Sequence, residues 1–475
     1  MKKNIEDLFT HLNDASVEYV VWKDTQNVNL FFEGNNELDI LVSKKDREKF
    51  KEALKLYDFS ELEVNRLLDK ENINHYIKFC DGSFFHIHVY FELNTGNHYV
   101  KEYKLKLLDD FFKSPLFIHN VKVVNEKMEI SILFIRLALK NSFLVTKIKE
   151  EEVRRVIELF KVIDLECIAV NINKFINNSF YDSQKVNKFI VNNKLVYSEL
   201  NKLKKMFKQD KYISNAMFYF NYIKMRSCLL YLRIKRSSNK TLLDKGIMIS
   251  ILGTDGSGKS TVVNELFRCF KAKTSTTVIY LGGNNRTYSL KTRLCYYVYY
   301  LCRVFSPLKN KSYLSWFMYY LGLSLLEYGK AIDREKRIQN GYELFKKGWI
   351  VIFERYPMAG LFDFPNNLSN CQNEIWEKKL GNKLIKHLFE KIRTKIMNLK
   401  KPSLMFMLFV ELEQIQNRRN LTENEKIDIE NKFELLSQYL EKPSDDLYVL
   451  NNDGVIDNVL FEITNKVNKE LCTFN

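Results

Sequence analysis

Gly253-Thr-Asp-Gly-Ser-Gly-Lys-Ser-Thr261, set directly after the apolar run Gly246-Ile-Met-Ile-Ser-Ile-Leu252, is the stretch that decides the fold of the C-terminal half of the chain. The glycines let successive backbone N–H groups turn inward around a phosphate, Lys259 reaches the β and γ oxygens, and the Ser260 hydroxyl is placed for Mg²⁺. Context supports a phosphate-binding loop. Ile247 to Leu252 has the make-up of a buried strand, and Thr261 to Lys271 carries apolar residues at helical spacing, so a helix N-terminus faces the expected phosphates. ATP with Mg²⁺ is the expected ligand, cradled by Gly253, Asp255, Gly256, Ser257, Gly258, Lys259, Ser260 and Thr261.

Working outward, later apolar runs at Thr277–Leu281, Trp349–Phe353, Leu404–Val410 and Leu447–Leu450 alternate with helical patterns. That alternation predicts an α/β domain with a parallel sheet flanked by helices over residues 247–475. Glu354-Arg355-Tyr356 stands at the end of one of these strands, where an open α/β sheet presents its ligand-contacting residues. The carboxylate suits the Mg²⁺ shell or the acceptor proton, and the arginine suits an anionic acceptor. Arg418 and Arg419, in a polar segment past the next strand, have the pattern of a lid that brings positive charge over the phosphates. Each piece alone also fits a surface ion-pair cluster.

Taken together, the glycine loop, Glu354-Arg355-Tyr356, the Lys401–Val410 run with Arg418-Arg419, and Ile427–Glu430 leading to Tyr439-Leu440 resemble the thymidylate kinase family of P-loop nucleoside monophosphate kinases. The resemblance covers about residues 246–475. It implies that Asp255-Gly256 matches the family's Asp-Gly pair, that Arg355 grips the acceptor phosphate, and that Arg418 or Arg419 is a lid-borne catalytic arginine. Glu354 departs from the family's aspartate, and Arg334 and Arg337 lie in the helix where acceptor recognition is expected.

The N-terminal part is a different unit. Residues 1–125 alternate short helical and strand-like patterns, predicting a small α+β domain. Glu37 and Asp39, one residue apart on a predicted strand, face one side and have the form of a two-acid Mg²⁺ site. The segment resembles nucleotidyltransferase-like domains related to polymerase β, without their glycine-rich element and with Phe85-His86-Ile-His88-Val-Tyr90 where a third carboxylate is expected. His86 and His88, taken as half-exposed, suit either a structural role or a metal shared with Asp39. Residues 126–235 carry helical periodicity without convincing strands, and 236–246 have the polar composition of a linker.

Composition bounds the rest. A chain of 475 residues, 46% hydrophobic and 28% charged, is that of a folded protein of several domains. The balance of 74 Lys+Arg over 58 Asp+Glu gives a net charge of +16, yet the lysines are dispersed and no nucleic-acid module is present. Eight scattered cysteines form no Cys-x-x-Cys and are expected to be reduced thiols; with no signal-peptide pattern at the start, the expected location is cytoplasmic. The Tyr-rich stretches 294–305 and 313–328 fit core packing, a homodimer interface or peripheral membrane contact. The leading expectation is an ATP-dependent phosphotransferase. Its alternatives are a nucleotidyltransferase working through the N-terminal domain and a nucleotide-gated binding protein without turnover.

Overall fold

In the computed structural model, the described residues are 2–34, 36–64, 72–97, 99–140, 150–234, 240–254, 256–282, 288–308, 312–357, 383–411, 413–415, 430 and 447–473. The chain divides into two compact units, 1–243 with 471–475, and 244–470.

The first unit is built on a mixed eight-stranded sheet. Its strands are β1 (Tyr19–Val21), β2 (Glu37–Val42), β3 (Ser60–Val64), β4 (Ile73–Cys80), β5 (Ser83–Tyr90), β8 (Leu116–Ile118), β9 (Val121–Val123) and β12 (Lys240–Leu242), in the order β12-β3-β4-β5-β2-β1-β9-β8. β6 (Leu93–Thr95) pairs with β7 (Tyr103–Leu105), and β10 (Ile190–Val191) with β11 (Lys194–Leu195). Side chains alternate between the sheet's faces. Leu38, Ile40 and Val42 of β2 and Phe85, Ile87 and Val89 of β5 join one core with α1 (Lys2–Asp14), α2 (Val28–Phe32) and α3 (Arg47–Leu56). The intervening residues face the other way, where Val20, Trp22, Leu41 and Tyr90 pack with α4 (Glu126–Lys140). Residues 128–139 of α4 are buried throughout, enclosed in part by α5 (Glu150–Val162), α6 (Leu165–Ile176), α7 (Ser183–Asn187) and α8 (Tyr197–Met206). α9 (Asn215–Ile234) follows.

Two expectations need correction here. Residues 240–242, assigned to a linker, form a strand that pairs antiparallel with β3. Local polarity hides this, because the order comes from a partner far away in sequence. The region 126–235 also holds the β10–β11 hairpin, and it shares one unit with residues 1–125.

The second unit carries five parallel strands, β13 (Ile247–Gly253), β14 (Thr276–Tyr280), β15 (Ile350–Glu354), β16 (Leu404–Phe409) and β17 (Leu447–Asn451), in the order β14-β15-β13-β16-β17. The chain winds to one side of β13 and then to the other, which makes β13 the switch point where open α/β sheets bind ligands. α10 (Lys259–Lys271) packs on β13, β14 and β15, and α12 (Tyr313–Phe345) also packs against these strands. α12 further contacts α11 (Leu290–Cys302) and α13 (Lys383–Met397), and α14 (Ile456–Thr473) closes the chain. Met248, Leu252, Val351, Phe353, Met405 and Met407 form the core on one face with Ile338 of α12. Each fully buried side chain of this kind contributes about 1.5–3 kcal/mol.

The aromatic stretch is only partly core. Trp316 and Tyr320 are buried, while Leu290, Leu294, Tyr297 and Leu301 of α11 are exposed at spacings of four, three and four residues. Among the described residues no helix is long and apolar enough to cross a membrane.

Candidate functional site

Gly253 ends β13 at φ 140°, and a Cβ there would lie 2.6 Å from both Leu408 O and Ser257 Oγ. Gly258 begins α10 at φ 83°, where a Cβ would meet Asn452 Nδ2 at 2.6 Å. Both positions are therefore closed to a side chain on conformation and on space. The result is a tight loop running into a helix N-terminus, the geometry that offers backbone N–H groups to an anion. Buried Ser257 Oγ has no hydrogen-bond partner among the described residues. Buried Lys259 turns its Nζ back to donate to Thr254 O, the loop's own carbonyl.

β15 lies beside β13 in register, with Glu354 opposite Ile251 and Tyr280. That brings the Glu354 carboxylate to α10, where Ser260 Oγ donates to Oε1 at 2.7 Å. A hydroxyl and a largely buried carboxylate so close at the foot of the loop are oxygen donors of the type a hard divalent cation such as Mg²⁺ takes. Arg355 follows at φ 64°, exposed, with its guanidinium 5.8 Å from the Tyr280 ring centroid. A non-glycine residue in that conformation costs about 1–2 kcal/mol and turns the side chain out of the strand direction. Tyr356 is buried and donates to Lys400 O at 2.6 Å, anchoring the turn.

Arg334 Nε and Arg337 Nη1 of α12 donate to Leu281 O and Tyr280 O at 3.1 and 2.9 Å, tying the helix to the end of β14 beside Arg355. Thr261 lies in the first turn of α10. Asp255, Arg418 and Arg419 lie outside the described residues, as do 427–429 and Tyr439-Leu440. Asn452 is a residue the sequence reading missed. Buried at the end of β17, it donates from Nδ2 to Ser257 O at 2.7 Å and braces the loop. Its only sequence signal is a polar residue just past a predicted strand, opposite the loop.

The first unit holds a separate cavity of about 420 Å³, lined by Trp22, Lys23, Asp39, His75, His88, Tyr90, Arg136 and Lys240 among others. Glu37 and Asp39 do share a side of β2, and parallel pairing with β5 sets them opposite His86 and His88. Glu37 Oε2 contacts His86 Nδ1 at 3.1 Å and Asp39 Oδ1 contacts His88 Nδ1 at 3.2 Å. Lys23 Nζ lies 2.8 Å from Asp39 Oδ1 and donates to Tyr90 Oη at 3.2 Å. Burial alone would raise the Asp39 carboxyl; Lys23 and His88 outweigh it and hold the group well below the usual carboxylate range. The two acids are thus brought together but already engaged with cationic and imidazole partners.

The histidines are more enclosed than the sequence suggested. His86 is fully buried and the His88 side chain is 14% exposed. Burial is the main cause that holds both, and His75, below their ordinary value, which favours the uncharged imidazoles. His75 was not singled out from the sequence; β4 sets it directly opposite His88. In the cavity wall, buried Arg136 and Glu152 pair at 2.8 Å and Lys140 joins Glu152 at 2.7 Å.

No known sequence family matches the chain, and no curated protein does. Among solved structures, a thymidylate kinase from Candida albicans matches at 16% identity and a TM-score of 0.28, over 48% of this chain and 94% of that one.

Proposed function

We propose that the protein is an ATP-dependent phosphotransferase of the nucleoside monophosphate kinase type, acting at the glycine loop of the second unit. The observation that carries this reading is the convergence of Lys259, Ser260 and Glu354 at the end of β13, with Ser260 Oγ 2.7 Å from Glu354 Oε1.

In this reading Lys259 leaves Thr254 O to meet the terminal phosphates, and the N-terminus of α10 holds the phosphate oxygens. Ser260 and Glu354 would hold Mg²⁺, which neutralises phosphate charge when bound. Arg355 holds the phosphate of a nucleoside monophosphate such as dTMP, or of a related phosphorylated acceptor, and Arg418 or Arg419 stabilises the transferring group. The exposed α11 stripe is the surface such a protein would use for a homodimer or for membrane contact.

Steady-state transfer from Mg·ATP to a panel of nucleoside monophosphates and sugar phosphates tests the assignment. Lys259→Ala lowers kcat by about 100-fold or more, and Arg355→Ala acts mainly on the acceptor's KM. Full turnover in both variants contradicts the reading.

A second reading places nucleotidyl transfer in the first unit. It is favoured by the Glu37/Asp39 pair on β2, parallel to β5, at the edge of a cavity large enough for a small ligand. Loss of activity in Asp39→Asn with retention in Lys259→Ala would decide for it.

A further inference from the structure

Three imidazoles meet on one face of the first unit's sheet. His86 and His88 are two residues apart on β5, and His75 is the direct cross-strand partner of His88 on β4. The ring centroids of His75 and His86 lie 4.2 and 4.4 Å from that of His88. One nitrogen from each ring can be chosen so that all three lie within 4.8 Å of one another.

The ring neighbours favour one tautomer. Glu37 and Asp39 oxygens lie 3.1 and 3.2 Å from His86 Nδ1 and His88 Nδ1, and a ring that donates there carries its lone pair on Nε2. Lys240 Nζ can only donate, and it lies 3.5 Å from both Nε2 atoms and 3.2 Å from His75 Nδ1. Three imidazole lone pairs therefore point at one position, filled by a cationic nitrogen. Glu37 Oε2 is also near, 3.6 Å from His88 Nε2.

A ring that presents one nitrogen to a common centre and gives its other N–H to a carboxylate is the arrangement that orients metal-binding histidines and raises their basicity. We propose that His75, His86 and His88 bind a divalent transition metal of the zinc class, with Lys240 competing for the same position. Imidazole nitrogen suits that class, whereas Mg²⁺ takes oxygen ligands. Zn–N bonds of about 2.1 Å at that position need His86 and His88 to close by about 1.4 Å and His75 by about 1.1 Å from their present distances to Lys240 Nζ. Lys240 sits on a three-residue strand at the edge of the sheet, so its ammonium can withdraw while the strands carrying the histidines, paired on both sides, stay in place. The site opens on the cavity that Asp39, Lys23 and Arg136 also line, which leaves a position for an anionic ligand beside the metal.

The test uses untagged full-length protein, stripped with chelator and titrated with Co²⁺ and with Zn²⁺, read by visible absorption and by metal analysis after gel filtration. The expected result is one tightly held ion per chain with the absorption of nitrogen-ligated Co²⁺. His75→Ala and His88→Ala each abolish it while the circular dichroism spectrum is kept, Glu37→Gln weakens it about 10–100-fold, and Lys240→Met strengthens it. Substoichiometric binding in the wild type, unchanged binding in both histidine variants, or weaker binding in Lys240→Met would overturn the proposal. Lys259→Ala retains the metal, which separates this result from the fate of the phosphotransfer assignment.

Discussion

At the scale of single residues, the most demanding chemistry lies in the ion cluster in the wall of the first unit's cavity. Glu152, with a side chain 2% exposed, is the shared carboxylate partner of Arg136 and Lys140. Glu152→Gln strips a buried guanidinium of its counter-charge, and unfolding by denaturant should show a loss of about 3–5 kcal/mol. Lys140 responds to pH in a defined sense. Burial and then Arg136 push its pKa down to about 8, against 10.5 for the ordinary group. Between about pH 8 and 10.5 the unfolded chain still binds that proton and the folded chain has released it, so this group's contribution to stability rises with pH across the window. Denaturant melts of wild type and Lys140→Met, compared at pH 7.5 and 10, should show the wild type gaining stability relative to the variant on going to the higher pH. No relative change would contradict the assigned shift.

At the scale of elements, the account depends on how the loop after β13 is held. Asn452 supplies a buried hydrogen bond to Ser257 O from the far end of β17. Asn452→Ala leaves that carbonyl without this partner, and the expected cost is about 1–3 kcal/mol together with weaker ATP binding, both read from thermal melts with and without nucleotide. A full ATP-induced shift in the variant would show that the loop needs no brace. The same comparison shows what sequence makes legible. All five strands of the second unit were placed to within a residue or so at each end, because buried parallel strands are continuous apolar runs bounded by polar turns. Ser260 and Glu354, legible from the loop motif and from a strand end in an open α/β sheet, lie within hydrogen-bonding distance of one another. What stayed hidden depends on pairing between distant segments. β12, Lys240-Thr241-Leu242 in a polar stretch, becomes a strand only against β3, and His75 joins His86 and His88 only through the β4–β5 register. Asn452 likewise gains its role from the strand order, which sets β17 next to β16 and β16 next to β13.

For the whole molecule, the sequence suggests an α+β domain, a helical region, a linker and a P-loop domain, and the structure resolves into two compact units, 1–243 with 471–475 and 244–470. Each has its own sheet and its own constellation of reactive groups: a glycine loop with Lys259, Ser260 and Glu354 in one, and histidines, carboxylates and buried cations around a cavity in the other. The net charge of +16 suits phosphorylated ligands at either. In the proposed function the glycine loop passes phosphate on and does not merely bind nucleotide. Phosphorus NMR of Mg·ATP with the full-length protein and a mixture of nucleoside monophosphates, run beside Lys259→Ala, tests it most directly. The expected result is ADP and a newly phosphorylated acceptor in equal amounts with the wild type, and at most about a hundredth of either with the variant over the same time. Intact ATP in the presence of protein that demonstrably binds it, or equal turnover by wild type and Lys259→Ala, would contradict the claim.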